Sequence, residues 1–278
     1  MEKSQERLRV LEKINQLERK RLWDQDVEDD PETIELKPNK IDYLNKKLSS
    51  KIKTFMANKK GTEFFENWIK NNQLIIKDVV GIENFLAVKG GAILTCNHFS
   101  VGDNYAVWRV IKPYMGRKKL WKVIREGNYT NAPMPFGFIL RNCNTLPLSS
   151  NTDTMKKFFK AVQVLLARGE KILIYPEQGM WWNYRKPRPC KKGAFRFAVS
   201  NNVPIIPFFI TMEDSEHIDN DGFNIQEYTV HILPAIYPKD KLNKHENIEY
   251  LMQENYKSWV EVYERVYNKK LEYLPEDK

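Results

Sequence analysis

At 278 residues the chain is long enough to bury a sizeable core. With 42% hydrophobic and 29% charged residues it reads as neither a disordered chain nor an integral membrane protein, and no apolar run approaches the roughly 18–20 residues that span a bilayer. Its formal charge is +9, while Cys96, Cys143, Cys190 and the four histidines share no metal-type spacing, which argues against a structural zinc site.

Taken in chain order, the segment from Gln5 to about Trp23 is charged nearly all round, with a thin apolar line of Leu8, Leu11, Ile14 and Leu17. It predicts a solvated helix. The acidic stretch Asp24 to Glu35, which contains Pro31, reads as a linker. A second helix is predicted from about Lys40, with Ile41, Leu44, Leu48, Ile52 and Phe55 at spacings of three and four and with Lys46, Lys47, Lys51 and Lys53 on its other face. Such a helix either lies on a membrane or packs on the main domain. Packing is the preferred reading, because most apolar stripes face cores.

From about Leu74 the texture changes to strands alternating with helices. Strand patterns fall at Leu74–Val80, Ala92–Cys96, Leu120–Arg125, Lys171–Tyr175, Ile205–Ile210 and Tyr228–Leu233. Helical patterns fall near Val101–Val110, Thr154–Arg168 and Lys192–Ser200. A last amphipathic helix covers about Asn247 to Lys270. This predicts an α/β fold: a mostly parallel central sheet flanked by helices, with an N-terminal helical extension over residues 1–72 and the α/β domain over 73–278. The N-terminus lacks a signal-peptide core, so a cytosolic address is expected, in keeping with unpaired thiols.

The positive charge is concentrated. Asn104 to Arg125 and Gln178 to Met212 contain no acid but many Lys and Arg, interleaved with Trp108, Trp121, Trp181 and Trp182. Basic plus aromatic predicts an anionic partner with an apolar part, such as an anionic lipid surface. Nucleic acid would also suit the charge, but no recognised nucleic-acid motif is present, so no nucleic-acid partner is expected. Trp181 and Trp182 fit a lipid groove or headgroup-level anchor as well as they fit a core. The proline-rich apolar run from Pro133 to Ile139 reads as a loop in need of a partner.

Two segments carry chemistry. Asn97-His98-Phe99-Ser100-Val101-Gly102-Asp103 follows a short apolar strand and opens a helix. His98 at the strand end and Asp103 in the first helical turn can meet, and the carboxylate would then fix the imidazole tautomer and stabilise its protonated form. That is equipment for activating a hydroxyl by general-base catalysis. The plainer alternative is that Asp103 pairs with Ser100 as a helix cap and His98 is a satisfied core histidine. The second segment is the buried-strand pattern Lys171–Tyr175, which ends in Pro176-Glu177-Gln178-Gly179. It places a carboxylate where open α/β sheets hold ligands.

These blocks together resemble the glycerolipid acyltransferases, the superfamily of the lysophosphatidate acyltransferases. His98 and Asp103 match its His-x4-Asp motif, and Gly81-Ile82-Glu83-Asn84 resembles the lead-in. Gly137 to Arg141, followed by Leu146-Pro147-Leu148, is similar to the second block. Tyr175-Pro176-Glu177 resembles the Phe-Pro-Glu of the third, and Val203-Pro204-Ile205-Ile206-Pro207 matches the fourth. The likeness runs in order from about Gly81 to Ile210.

The resemblance implies an O-acyltransferase that moves a fatty acyl group from an acyl thioester to a lysolipid hydroxyl, with 1-acylglycerol-3-phosphate as first choice and a glycolipid or other lysolipid as alternative. His98 would be the base and Asp103 its orienting partner. Arg141, Glu177, Gly179 and Arg185 would form the acceptor or phosphate pocket. No bound cofactor or metal is implied; acyl-coenzyme A (acyl-CoA) or acyl-carrier protein would be the co-substrate. The expected location is peripheral, on the inner face of the cell membrane. From another class, a non-catalytic lipid or carrier-protein binding module on the same fold remains open. The sequence departs from the family in the third block, where Gln178-Gly179-Met180-Trp181 replaces Gly-Thr-Arg-Ser and removes an arginine. Arg141, Arg185, Lys186 and Arg188 are the candidates to replace that phosphate clamp.

Overall fold

A computed structural model describes residues 2–28 and 32–276 of the chain; Pro31 of the expected linker lies outside the described residues. After α1 (Gln5–Arg19) and α2 (Leu48–Lys70) come β1 (Ile75–Val80), α3 (Ile82–Leu86), β2 (Ala92–Thr95) and α4 (Asp103–Ile111). Then follow β3 (Leu120–Ile124), α5 (Glu126–Thr130), α6 (Phe136–Asn142), β4 (Thr145–Pro147), α7 (Thr152–Ala167) and β5 (Lys171–Ile174). The chain continues through α8 (Gly193–Ser200), β6 (Ile205–Ile218), β7 (Asn224–Ile232) and α9 (Lys244–Tyr267). Among the described residues the strands form one seven-stranded sheet in the order β1-β7-β6-β2-β5-β3-β4. All neighbouring pairs are parallel except β6 with β7.

Strict alternation along the strands feeds two cores. Leu94, Leu173 and Ile206 point to one face, where α3, α4 and the C-terminal half of α2 pack. Ile93, Ile172 and Ile205 point to the other, against α7, α8 and α9. A sheet covered on both faces needs strands apolar on both sides, which is why Ala92–Thr95 and Lys171–Ile174 are buried at every position. Two helices of the second face, α7 and α9, start where their sequence can cap them. The Asn151 side chain accepts from the Asp153 and Thr154 N–H groups, and Asn243 and Glu246 form a reciprocal capping box.

The structure corrects two expectations for the N-terminal region. Helix α1 is not a solvated rod: Val10 and Ile14 are buried with Val27 and Trp181 in a third apolar cluster. Glu18, also buried, accepts from Lys186 Nζ at 2.6 Å and from the Leu274 N–H at 2.8 Å. Helix α2 begins at Leu48, so Ile41 and Leu44 belong to the preceding segment, where they pack on the second core. Its apolar stripe faces outward. Leu48, Ile52, Phe55 and Met56 are exposed, while the small residues Thr54, Ala57 and Gly61 turn inward. Gly61 faces Cys143 and Ile139 at contact distance, and small residues let α2 approach α6 closely. No helix of the described residues is long and apolar enough to cross a membrane.

Candidate active site

Strands β2 and β5 are parallel neighbours, with Thr95 level with Ile174. The segments that leave their C-terminal ends, Cys96–Gly102 and Tyr175–Gly179, therefore emerge side by side. The first is pinned to β6 by Asn97, whose amide donates to the Ile210 carbonyl at 3.0 Å and accepts from the Ile210 N–H at 2.8 Å. The chain then turns so that His98 and Asp103 meet. Nδ1 of His98 lies 2.7 Å from Oδ2 of Asp103.

Asp103 is fully buried and its oxygens are fully used. Oδ2 also accepts from the N–H groups of Phe99 at 3.0 Å and Ser100 at 3.2 Å, and Oδ1 accepts from the Tyr175 hydroxyl at 2.6 Å. Asp103 is the first residue of α4, after Gly102 at the N-cap, so the carboxylate reaches back over the turn instead of capping from the third helical position. The helix N-terminus favours its negative charge. With Nδ1 committed as donor, His98 presents Nε2 as the free basic atom, on a ring that is 21% exposed. The Tyr175 ring stacks on it, centroids 3.9 Å apart and planes 19° from parallel. Burial, reinforced by Asp103, pushes the Tyr175 phenol well above its ordinary range. It remains protonated and is the donor to the carboxylate.

Glu177 has a different duty from the pocket role expected of it. It is 2% exposed and pairs with Arg188, 1% exposed, at 2.9 Å. Its other bonds accept from the backbone N–H of His98 at 3.0 Å and of Arg188 at 2.8 Å. The Arg188 guanidinium also donates to the carbonyls of Trp23 at 2.8 Å, His98 at 3.3 Å and Gly179. Glu177 and Arg188 are thus a buried frame holding the His98 backbone, with neither side chain left for a substrate. Gly179 is part of that frame: a Cβ there would come within 2.8 Å of the Gln25 carbonyl. Trp181 is fully buried and donates from Nε1 to Gln25, which settles it as core and not as anchor. The burial that raises the Cys96 and Cys190 thiols well above their usual range keeps them neutral, so neither is an activated nucleophile.

The basic candidates are not gathered at the dyad. Arg185 pairs with Asp214 at 2.6 Å and Gln226 at 2.8 Å on the β6–β7 side, and Lys186 is held by Glu18. Arg141 precedes β4, three strands from β2, which at about 4.8 Å per strand leaves roughly 14 Å of sheet between those strands. It donates to the carbonyls of Tyr129 and Ala132 at 3.4 Å each. There it lines a polar cavity of about 220 Å³ with Lys40, Lys47 and Lys53, where Asp42 is the one carboxylate among the described residues. The apolar run after Pro133 contains part of α6, with Met134 and Phe136 exposed.

Residues 77–211 match the family model described as Acyltransferase. Over those residues the chain is similar to the acyltransferase family. All the candidate residues, from His98 to Arg185, lie inside the matched stretch, in agreement with the resemblance to glycerolipid acyltransferases. An uncharacterized acyltransferase of Schizosaccharomyces pombe is 29% identical over 163 residues, covering 57% of this chain and 56% of that protein. The match thus spans little more than half the length of that relative. Among solved structures, the 1-acyl-sn-glycerophosphate (LPA) acyltransferase PlsC from Thermotoga maritima is similar at 18% identity and a TM-score of 0.48. That match covers 80% of this chain and 83% of that one. Sequence reasoning singled out His98, Asp103 and Glu177, and the structure brings these three residues together. The same reasoning missed the Tyr175 hydroxyl, whose only signal was a tyrosine where the block resembles Phe-Pro-Glu, and it offered Arg188 only as one of four candidates to replace a phosphate clamp.

Proposed function

We propose that the protein is an O-acyltransferase working at a membrane surface, moving a fatty acyl group from an acyl thioester to a lysolipid hydroxyl. The observation that carries this is the 2.7 Å contact between His98 Nδ1 and the buried Asp103, with Nε2 left on an open ring. In the reaction the acceptor hydroxyl gives its proton to Nε2 as its oxygen bonds to the thioester carbonyl carbon. Asp103 stabilises the imidazolium. The carbon–sulfur bond then breaks, and the departing thiolate takes the proton back from His98. The products are a lipid ester and a free thiol.

The donor is acyl-CoA or acyl-carrier protein, and 1-acylglycerol-3-phosphate is the first acceptor to test, in phospholipid biosynthesis. One observation favours a lysolipid without a phosphate, such as a glycolipid. Arg185, Lys186 and Arg188 are already paired inside the protein, and Arg141 stands across the sheet edge. A glycerol phosphate holds its phosphate only a few bonds from the hydroxyl to be acylated. The exposed stripe Leu48, Ile52, Phe55 and Met56, bordered by Lys51, Lys53 and Lys59, supports attachment to anionic lipid at the inner face of the cell membrane.

The test offers both donors and a panel of lysolipids to the purified full chain and reads product lipids by mass spectrometry. The rate of the best pair is expected to fall by roughly 10²–10⁴ in His98→Ala, the usual worth of a general base. An unchanged rate would remove the mechanism, and the absence of any esterified product would leave a binding module.

A further inference from the structure

We infer that Tyr175 is a third member of the His98–Asp103 unit, a positioning residue whose hydroxyl takes up part of the Asp103 charge and whose ring fixes the plane of the imidazole. The inference rests on the transfer reading above and adds to it a residue that shares the carboxylate holding the base.

Two independent contacts carry it. The Tyr175 hydroxyl donates to Asp103 Oδ1 at 2.6 Å, short for a neutral donor and typical of a hydroxyl on a carboxylate. The same ring stacks on His98 at 3.9 Å. Tyr175 can do both because it is the first residue after β5, beside β2, whose following segment carries His98. A phenylalanine there would keep the stack and leave Oδ1 of a fully buried carboxylate without its partner. The other groups facing the unit add no net charge to the balance. The Cys96 thiol and the Tyr228 phenol are kept neutral by burial, and Glu177 and Arg188 cancel one another. The Asp103 charge is therefore shared among His98, two backbone N–H groups and Tyr175. Each donor to the carboxylate reduces its pull on the imidazole proton.

The experiment is Tyr175→Phe in the full chain, read two ways. In transfer assays the acid limb of the pH–rate profile is expected to move up by about 0.5–1 pH unit, with the plateau rate reduced about 3–10-fold. Without substrate, the His98 ring signal in an NMR titration, one of four histidines to assign, is expected to move in the same direction. Fluorinated tyrosine at 175, a stronger donor, is expected to move both the opposite way, and it serves if the phenylalanine variant does not fold. Superimposable titrations for the parent and a folded variant would overturn the inference, since a purely structural ring would not set them. A shifted ring signal in a protein with no transfer activity would uphold Tyr175 and sink the transferase reading instead.

Discussion

The ends of β2 and β5 and the outer end of α2 handle polar groups in opposite ways. Around His98 the strong donors and acceptors are matched within the protein. Asp103 takes four hydrogen bonds, and Glu177 and Arg188 are spent on each other and on backbone. Around α2, Lys40, Lys53 and Arg141 have no carboxylate bonded to them among the described residues, and four large apolar side chains face outward. Matching on the inside fixes the geometry that chemistry needs. The unmatched surface is suited to a partner that brings its own negative charge and apolar bulk.

The sharpest way to break the contrast is to unmatch the inside. Arg188→Ala would leave the Glu177 charge buried without its cation and cut the ties to Trp23 and Gly179. Removing one partner of a buried pair costs about 3–5 kcal/mol, so urea denaturation is expected to show a loss of that size. Because Glu177 also holds the His98 N–H, activity is expected to fall even at temperatures where the variant is folded. A loss under 1 kcal/mol would mean that the frame is redundant. The same wiring predicts that deleting residues 1–28 disturbs the site, since the Trp23 and Gln25 carbonyls and the Asp24 carboxylate all hold the 179–191 loop.

A half-matched interior group gives the next largest effect. His231 on β7 is buried, with Nε2 on the Thr211 hydroxyl at 3.0 Å and Nδ1 without a partner among the described residues. Burial, with a smaller push from Arg265, lowers it to about 4 from its ordinary 6.5. The unfolded chain then takes up the proton first as the pH falls. The stability this neutral ring contributes is complete above about pH 6.5, declines from there toward 4, and amounts to about 3 kcal/mol in full. Between about pH 7.5 and 5 the loss is expected to be about 2 kcal/mol by chemical denaturation. In His231→Gln that portion of the slope is expected to vanish. Equal slopes would show that His231 is hydrated in the native state.

The same contrast explains what could be read from the amino acids alone. The six strands predicted from Leu74 onward all form, and the central β2 and β5 are continuous apolar runs because both of their faces are buried. The three-residue strand β4 and the short helices α3, α5 and α6 escaped, since runs that brief carry no period to detect. His98 and Asp103 were legible because a five-residue separation across a strand-to-helix turn has few ways to close. Arg188 was not, because an isolated arginine does not reveal whether its anion will be a phosphate or a glutamate eleven residues earlier. The α2 stripe showed correctly as apolar. Its direction did not, because the helix packs through Thr54, Ala57 and Gly61, residues too small to register as a core face.

Changes on that outward face are expected to have the smallest effects and to separate its two components. Phe55 is 73% exposed, so Phe55→Ser should alter folding stability by no more than about 0.5 kcal/mol. If the ring enters lipid, partition onto vesicles of any charge should weaken about tenfold, a share of the roughly 1.5–3 kcal/mol that burying such a side chain contributes. Lys53→Ala should act differently. A lysine near an anionic surface is worth about 1 kcal/mol, so binding should weaken only about fivefold, only on vesicles containing anionic lipid, and less as salt shortens the range of the field. Sedimentation of both variants with neutral and anionic vesicles reads the two terms separately. Should both behave like the parent on both kinds of vesicle, the stripe is no membrane surface, and an apolar face bordered by lysines would have to be covered by something else.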